Sequence, residues 1–355
     1  MTMGFLHGCP PPVDAFDVAL LDLDGVVYVG DHAVPRAADA LAVAASRGMR
    51  LGFVTNNASR TPDDVAEHLV GLGIPAAPID VVTSAQAGAR LLAEELPPGS
   101  AVLAVGGPGV SSSLVEAGLR PVLSTVEEPV AVLQGFGRDV GWRQLADASL
   151  VVRAGARWVA TNLDATLPIP GGRAPGNGML VAAVAEAAGR RPDAVAGKPH
   201  APLMVESVER LSARRPLVVG DRLDTDIAGA EALDLPSMLV LTGVTDLPVL
   251  LAAPPGSRPR LVAADLRGLL EPHPGVDVDH EVTGATVWTA GSARARFDGG
   301  KAEVSIGPGE SGWLDAVRCA CAAAWTHPDA DLTGALAVLE GTWPEGFARP
   351  ARSRV

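Results

Sequence analysis

The amino-acid sequence predicts an α/β protein with a doubly wound parallel-sheet core, a second α/β domain inserted into it, and a small α+β appendage at the C-terminus. Short, wholly apolar runs such as residues 18–24 are typical of strands buried on both faces, as in parallel sheets. These runs alternate with stretches of helical spacing. The alternation restarts near residue 84, and the texture of the chain changes again after residue 275.

The core is predicted from apolar runs in two separate parts of the chain. Its strands are expected at residues 18–24, 50–55, 216–221 and 236–241. Its helices are expected at residues 37–47 and 62–72. Thr61 is a good N-cap for the second helix, and Pro62 suits its first turn. We therefore assign residues 1–83 and 190–270 to the core.

The intervening residues 84–189 are predicted to form the inserted α/β domain. Strands are expected at residues 101–105, 130–136 and 157–160. Helices are expected at residues 142–154 and 179–188. The first of these strands leads into the glycine-rich stretch 106–109.

Two breaker-rich loops, at residues 253–259 and 271–275, separate the core from a C-terminal segment, residues 276–355. Strands at residues 281–288 and 293–297 are predicted to pair through a turn at 290–292. Helices are expected at residues 313–325 and 332–339. This pattern predicts a small α+β unit.

Composition excludes several classes of function. The formal net charge of −13 argues against a surface for nucleic acid or an anionic membrane. No apolar run reaches the length of a membrane span, and no signal peptide is visible, so we expect a cytoplasmic protein. Three cysteines, Cys9, Cys319 and Cys321, cannot form a disulfide framework. Cys319 and Cys321 are expected to be buried thiols on a helix.

Asp22 and Asp24 end the first predicted strand, directly before Gly25. In open α/β sheets the carboxyl ends of the strands line the ligand crevice, so both carboxylates can reach it. Taken alone, the pair is more often part of a turn than of a site.

Three further motifs carry polar residues to strand ends or loops. Thr55, Asn56 and Asn57 end the second core strand and suit a phosphate oxygen, although an ordinary polar cap is the favoured explanation when they are taken alone. Lys198, between Gly197 and a proline, is expected to present one cation in a rigid, exposed loop.

The last motif follows the apolar run at 216–220 and offers carboxylates at Asp221, Asp224 and Asp226. Magnesium prefers oxygen ligands, typically one or two carboxylates with water and substrate phosphate. The motif therefore indicates a magnesium site at a strand end.

These four motifs, in this order, resemble those of the haloacid dehalogenase (HAD) superfamily of phosphatases, whose core is Rossmann-like. The inserted domain is similar to the α/β cap of the NagD-like subfamily, on the strength of residues 162–164 and 174–178. The resemblance covers roughly residues 16–250. With its C-terminal segment, the chain looks most like the actinobacterial glycerol 3-phosphate phosphatases.

The resemblance implies a role for each motif residue. Asp22 would be the nucleophile that forms an aspartyl phosphate, and Asp24 the general acid and then the general base. Thr55 and Asn56, with Asn57 beside them, would hold the phosphoryl group. Lys198 would balance the negative charge of the phosphoryl oxygens.

The resemblance also implies a bound Mg²⁺, with Mn²⁺ or Co²⁺ as substitutes. Its ligands would be Asp22, the main-chain carbonyl of Asp24, and Asp221, with Asp226 supporting nearby. The implied reaction is hydrolysis of a small phosphorylated metabolite, and the oligomeric state, a homo-oligomer included, is left open.

Substrate specificity is expected to come from the cap. Asn162, Asp164 and the loop at 171–173 are the candidates for substrate contact, although the first two could instead only cap a loop. Glycerol 3-phosphate is the favoured substrate. Phosphoglycolate, pyridoxal phosphate and p-nitrophenyl phosphate are the alternatives, and the scarcity of aromatic residues favours a small polar ester.

Two functions of other classes remain open at this stage. One is a catalytically silent sensor of a phosphorylated metabolite, which a degenerate motif would support, yet Asp22, Asp24, Lys198 and Asp221 are all present. The other is an acetyltransferase in the C-terminal segment, suggested by the glycine-rich stretch 304–312. That stretch lacks the expected basic residue, so we expect a packing, oligomerisation or regulatory role instead.

Overall fold

The computed structural model of the chain describes residues 8–169 and 171–349. Its strands are β1 (Val18–Leu21), β2 (Tyr28–Val29), β3 (His32–Ala33), β4 (Arg50–Thr55), β5 (Val81–Thr83), β6 (Ala101–Val105), β7 (Arg120–Val122), β8 (Ala131–Gln134), β9 (Arg157–Ala160), β10 (Thr166–Ile169), β11 (Gly172–Pro175), β12 (Ala194–Val195), β13 (Pro216–Gly220), β14 (Ser237–Val240), β15 (Leu261–Ala263), β16 (Asp277–His280), β17 (Thr286–Ala290), β18 (Ala293–Asp298) and β19 (Lys301–Ser305).

The helices alternate with these strands through most of the chain. They are α1 (Pro12–Ala15), α2 (Ala37–Ser46), α3 (Pro62–Gly71), α4 (Ser84–Glu95), α5 (Pro108–Glu116), α6 (Trp142–Arg153), α7 (Asn177–Ala188), α8 (Ala201–Arg210), α9 (Ala228–Glu231), α10 (Leu247–Leu251), α11 (Gly309–Thr326) and α12 (Thr333–Gly341). None of the helices in the described residues is long and apolar enough to cross a membrane.

The chain divides into two compact units. The first combines the described residues up to Leu51 with those from Ala213 onward, and the second is Gly52–Ser212. These divisions differ from the predicted core, cap and C-terminal boundaries, so the three-part arrangement stays a prediction.

The first unit contains a parallel sheet in the order β15-β14-β13-β1. Every residue of β1 and β13 is buried, which explains why both read as unbroken apolar runs in the sequence. The predicted strands in this part of the chain are confirmed, and β15 is an additional strand that the sequence analysis missed.

The second unit contains a parallel pair, β4 with β5, and a five-stranded parallel sheet in the order β12-β9-β8-β6-β7. Helices α6 and α7 bury Val152 and Val184 against Leu103, Val132 and Trp158 on one face of the larger sheet. The predicted strands and helices of the inserted domain are confirmed.

The predicted cap of helix α3 is also confirmed. The Thr61 hydroxyl accepts a hydrogen bond from the Asp64 N–H at 3.1 Å, and the Asp64 carboxylate accepts one from the Thr61 N–H at 3.0 Å. Pro62 occupies the first turn, where its missing N–H costs nothing. This reciprocal cap fixes the start of the helix that follows the Thr55 loop.

The C-terminal segment forms an antiparallel sheet, β16-β17-β18-β19, on which α11 packs. Its apolar side chains join those of the parallel sheet in one core, which includes Leu239, Val262, Trp288, Trp313 and Val317. The predicted α+β character is confirmed, and the segment packs directly on the sheet of the first unit.

Two local predictions, a strand and a helix start, were wrong. The strand predicted at residues 281–288 begins only at Thr286, because residues 281–285, with Gly284 at a φ of +89°, form the turn between β16 and β17. At residues 171–173, where the glycines predict a flexible or tightly turned edge, Gly171 lies at the turn of the β10–β11 hairpin, and Gly172 and Arg173 belong to β11. Helix α11 begins at Gly309, earlier than the predicted residue 313, because Pro308 provides an extended N-cap.

His273 is a buried histidine whose two ring nitrogens contact separate parts of the first unit. One ring nitrogen, Nε2, lies 2.8 Å from the Gly268 carbonyl, and Nδ1 lies 3.1 Å from the Arg318 guanidinium. Burial and the neighbouring Arg318 lower the pKa of His273 to about 4. Because this is below the ordinary value, unfolding takes up a proton between about pH 6.5 and pH 4, and stability falls as pH drops through that window.

We therefore expect the wild-type free energy of unfolding to fall by about 2 kcal/mol more than that of a His273→Gln variant between pH 7 and pH 5. Denaturant titrations of both proteins at the two pH values measure this difference. Parallel losses of stability in the two proteins would contradict the assignment.

The predicted burial of Cys319 and Cys321 on a helix is confirmed. Burial raises the pKa of Cys319 to about 12 and also raises that of Cys321. Since the thiolate is the reactive form, we expect a thiol reagent at pH 8 to modify only Cys9 in the native protein. Mass spectrometry after labelling, with and without denaturant, tests this, and native labelling of Cys319 would refute it.

Candidate active site

Three carboxylates of the first unit converge at the carboxyl ends of two neighbouring strands. Asp22 follows β1 directly, and Asp221 follows β13. Asp226 lies in a single π-helical turn, Leu223–Ile227. One oxygen from each of the three carboxylates lies within 4.8 Å of the others. Asp221 and Asp226 are 0% and 1% exposed, whereas Asp22 is partly exposed, so two of the three carboxylates in this all-oxygen cluster are buried.

Two glycines allow the close approach of Asp221. A Cβ on Gly243 would lie 1.9 Å from Asp221 Oδ2, and one on Gly25 would lie 2.7 Å from the same atom. Gly25 also has a φ of +85°, which L-residues rarely adopt. The Val244 N–H donates to Asp221 Oδ2 at 2.6 Å, which orients the carboxylate. The turn after β1 and the loop after β14 therefore shape the cluster together.

The remaining acidic residues of the two motifs lie outside the cluster. The Asp24 side chain is exposed and is not part of the cluster. The resemblance implies that Asp24 contacts the metal through its main-chain carbonyl and not through this side chain. Asp224 is exposed and forms an ion pair with Arg222 at 2.7 Å. Asp226 instead accepts a hydrogen bond from the Arg222 N–H at 3.2 Å. Of the three carboxylates in the last motif, the structure thus brings Asp221 and Asp226 to Asp22.

The donor set of this cluster fits a hard divalent cation. Oxygen ligands from clustered carboxylates are the environment that Mg²⁺ prefers, and a cation offsets the cost of bringing three negative groups together in a buried place. Asp22, Asp221 and Asp226 would hold such an ion.

The other predicted site residues lie in the second unit. Thr55 is buried at the end of β4, and its hydroxyl accepts a hydrogen bond from the Asn57 N–H at 3.0 Å. The Asn57 side-chain carbonyl accepts from the N–H and hydroxyl of Ser59, at 2.9 and 2.8 Å. These bonds fold residues 55–59 into a tight loop, and the side-chain oxygen of Asn57 is engaged within it.

The exposure predicted for Lys198 was wrong. Lys198 is only 4% exposed, and its ammonium donates to the Val54 carbonyl at 3.2 Å. A lysine buried to this extent is rare unless it has partners, so a surface role is excluded. Gly197 before it packs so closely on Asn56 that a Cβ would lie 2.5 Å from Asn56 Oδ1.

Asn162 and Asp164 lie in the loop after β9 and belong to the same hydrogen-bond network. Asn162 Nδ2 donates to the Asn56 carbonyl at 2.7 Å, and Asn162 Oδ1 accepts from the Asp164 N–H at 3.1 Å. Both polar ends of Asn162 are thus used inside the protein, which favours the loop-capping alternative for this residue. Asp164 Oδ2 accepts from Asn56 Nδ2 at 3.2 Å.

Sequence reasoning missed two members of this network. Asn177, 2% exposed, donates to the Asn162 carbonyl at 2.8 Å. Ser84 donates to the Asn56 carbonyl at 2.7 Å. Asn177 lies inside the stretch 174–178 that the resemblance had already marked, so its place there was the available signal. No comparable signal identified Ser84.

Comparison with known proteins agrees with this geometry. A haloacid dehalogenase-like hydrolase family model matches residues 19–120, and a HAD-hydrolase-like model matches residues 195–269. Over 271 residues the chain is 48% identical to D-glycerol 3-phosphate phosphatase of Mycobacterium tuberculosis, covering 74% of this chain and 76% of that relative. This chain belongs to the haloacid dehalogenase-like hydrolases.

Solved structures of the family extend the similarity. Glycerol phosphate phosphatase from M. tuberculosis, in complex with calcium, superposes with a TM-score of 0.78 at 42% identity, over 91% of this chain and 92% of that one. Its complex with magnesium gives a TM-score of 0.77 at 42% identity, over 89% and 92%. The p-nitrophenyl phosphatase of Archaeoglobus fulgidus gives 0.67 at 29% identity, over 72% and 98%.

These similarities confirm the predicted fold class, family and enzyme class, a phosphatase of the HAD superfamily. The first superposition covers 91% of this chain, so it leaves out fewer residues than the C-terminal segment, 276–355, contains. The likeness to the mycobacterial enzyme therefore extends into that segment.

We expect a Gly243→Ala substitution to weaken divalent-metal binding at least tenfold, because the added methyl group displaces the Asp221 carboxylate. Isothermal titration of the protein with Mg²⁺ measures the change. Gly334→Ala, where an added Cβ meets open space, is the matched control and should bind as the wild type does. Equal affinities for all three proteins would contradict the role given to Asp221.

Proposed function

We propose that the enzyme hydrolyses glycerol 3-phosphate to glycerol and inorganic phosphate, with Mg²⁺ as its metal and Mn²⁺ or Co²⁺ as substitutes. The chemistry rests on the clustered carboxylates Asp22, Asp221 and Asp226. The substrate rests on the mycobacterial relative, which is named a D-glycerol 3-phosphate phosphatase and is 48% identical. The metal rests on the oxygen-only donor set and on the magnesium complex of the structural relative.

In the proposed reaction an Asp22 carboxylate oxygen attacks phosphorus and the bond from phosphorus to the ester oxygen breaks. Asp24 donates its proton to the departing alkoxide, which leaves as glycerol. Asp24 then takes a proton from a water molecule that attacks the aspartyl phosphate, which releases phosphate and restores Asp22. A bound divalent cation would offset the repulsion between the carboxylate and the anionic ester.

The residues of the second unit would bind the phosphoryl group. Thr55 and the main-chain N–H groups of its loop suit phosphate oxygens, and Lys198 supplies a positive charge. The Asn56 side chain and the Asn57 side-chain oxygen are engaged elsewhere, and the Asn57 N–H donates to the Thr55 hydroxyl. Contact of these two residues with phosphate would therefore fall to the Asn56 N–H and the Asn57 side-chain NH2 group. Asp164 is the remaining cap candidate for substrate contact, together with the hairpin turn that precedes Arg173.

We also propose the three-part division into core, cap and C-terminal segment, and a cytoplasmic location.

The cap hairpin of β10 and β11 contains no aromatic residue. An aromatic ester would gain from stacking on such residues. Their lack in this hairpin supports a small polar substrate over pyridoxal phosphate or p-nitrophenyl phosphate.

The acetyltransferase alternative is disfavoured by the packing of its glycine-rich stretch. A Cβ on Gly307 would lie 1.9 Å from the Ser292 hydroxyl, and one on Gly312 would lie 2.3 Å from the Gly307 carbonyl carbon. These glycines are required by contacts within the protein, so they need no nucleotide ligand to explain them. The sensor alternative is disfavoured because the carboxylate cluster is intact.

The decisive test is phosphate release from glycerol 3-phosphate, phosphoglycolate, pyridoxal phosphate and p-nitrophenyl phosphate, with and without Mg²⁺. We expect glycerol 3-phosphate to give the highest kcat/KM, and Asp22→Asn to lower kcat by at least about a thousandfold, because the nucleophile is lost. Asp14→Asn removes a surface carboxylate paired with Arg47 and is the matched control, with unchanged activity.

Three outcomes would overturn parts of this proposal. A different best substrate would refute glycerol 3-phosphate while leaving the chemistry in place. Full activity of Asp22→Asn would refute the aspartyl-phosphate mechanism. A lack of turnover on every ester by the wild type, with binding of these esters retained, would favour the sensor.

A further inference from the structure

The Asn56 side chain forms two hydrogen bonds with the main chain of Lys198. Asn56 Oδ1 accepts a hydrogen bond from the Lys198 N–H at 2.8 Å, and Asn56 Nδ2 donates to the Lys198 carbonyl at 3.0 Å. The two residues are far apart in sequence, so this pair of bonds joins the loop after β4 to the loop before α8. A two-point contact of this kind fixes the orientation of a peptide as well as its position.

The second N–H of the same amide reaches the cap loop. Asn56 Nδ2 also donates to Asp164 Oδ2 at 3.2 Å. A side-chain amide has two N–H donors, and both are now used within the protein. The Asn56 side chain therefore donates no further hydrogen bond to a substrate, and its function must be sought in the groups that it holds.

The main chain of Asn56 is held as firmly as its side chain. Its carbonyl accepts from Asn162 Nδ2 and from the Ser84 hydroxyl, both at 2.7 Å. Gly197 closes the remaining side, because a Cβ there would lie 2.5 Å from Asn56 Oδ1. These contacts hold Asn56 in one position between the cap loop and the Lys198 peptide.

The position of the Lys198 side chain depends on Asn56 because Lys198 is buried. Its side chain is almost wholly enclosed, and its ammonium donates to the Val54 carbonyl, two residues before Asn56. The end of β4 and the loop after it thus hold Lys198 both at its peptide and at its ammonium. A buried side chain has few rotamers available, so a displaced peptide would displace the ammonium with it.

We propose that Asn56 is a positioning residue: its side chain fixes the Lys198 peptide, links it to Asp164 of the cap loop, and so sets where the lysine charge acts on the phosphoryl group. This inference rests on the proposed phosphatase function and replaces a direct side-chain contact of Asn56 with substrate. Displacements of about 1 Å in catalytic groups can cost a hundredfold in rate, so the effect should be large.

A double-mutant cycle tests the dependence on Lys198. The variants are Asn56→Ala, Lys198→Met and the two combined, assayed for kcat and KM with saturating Mg²⁺. We expect Asn56→Ala to lower kcat about 10- to 100-fold with a smaller change in KM. In the Lys198→Met background the same substitution should cost less than about threefold, because the group that it positions is gone. Independent effects that multiply in the double variant would overturn the proposal.

A matched control separates positioning from general stability. Gln86 is another buried amide of the second unit, bonded to the Thr83 main chain and to Glu116. Gln86→Ala should lower Tm as Asn56→Ala does, while its kcat stays within about threefold of the wild type. An equal loss of kcat in both variants, below their unfolding temperatures, would indicate a structural role for Asn56 and refute positioning.

A partner exchange covers the case in which Asn56→Ala does not fold. Asn56→Asp removes both donors and places a carboxylate against Asp164, so kcat should fall. Adding Asp164→Asn supplies a donor to the new carboxylate, so kcat of the double variant should be at least fivefold higher than that of Asn56→Asp alone. No recovery of kcat would contradict the link to the cap loop. A wild type without turnover would refute the proposed function itself, whereas an active wild type with additive effects refutes only this inference.

Discussion

The parallel pairing of β1 with β13 is the constraint on which the carboxylate cluster of the first unit depends. Leu21 lies opposite Val219, and the Asp22 N–H donates to the Val219 carbonyl at 2.8 Å. A register shift of one residue would break this hydrogen bond and separate Asp22 from Asp221. The strand register thereby fixes the spacing of two carboxylates that repel each other.

The two compact units carry chemically different sets of predicted site residues. The first unit concentrates carboxylates, supported by close glycine packing around Asp221. The second unit supplies one buried lysine and a network of neutral amides around Asn56. Neutral amides fix geometry without adding charge, which suits the neighbourhood of the lysine that we propose to act on a phosphate dianion. Metal affinity and lysine placement are therefore set by different parts of the sequence.

The C-terminal segment is part of the first unit's architecture. Arg318 of α11 donates to the carbonyl of Val262 at 3.0 Å, and Trp325 donates to the carbonyl of Leu250 at 3.2 Å. Asp315 pairs with Arg318 inside this interface, which offsets the cost of burying the guanidinium. Helix α11 thus covers apolar surface of the parallel sheet, and removal of the segment would expose residues such as Val262 and Leu250 to water.

The sequence by itself determined the elements that depend on local pattern: buried strands such as β1 and β13, the Thr61 cap, and the motif carboxylates at strand ends. Periodicity and capping act over a few residues and can be read without a fold. Only the tertiary structure decided that Lys198 is buried, that Asp224 turns to Arg222, and that Asn56 holds Lys198. Those outcomes depend on contacts between residues distant in sequence, and no local pattern records which distant partner a polar side chain will find.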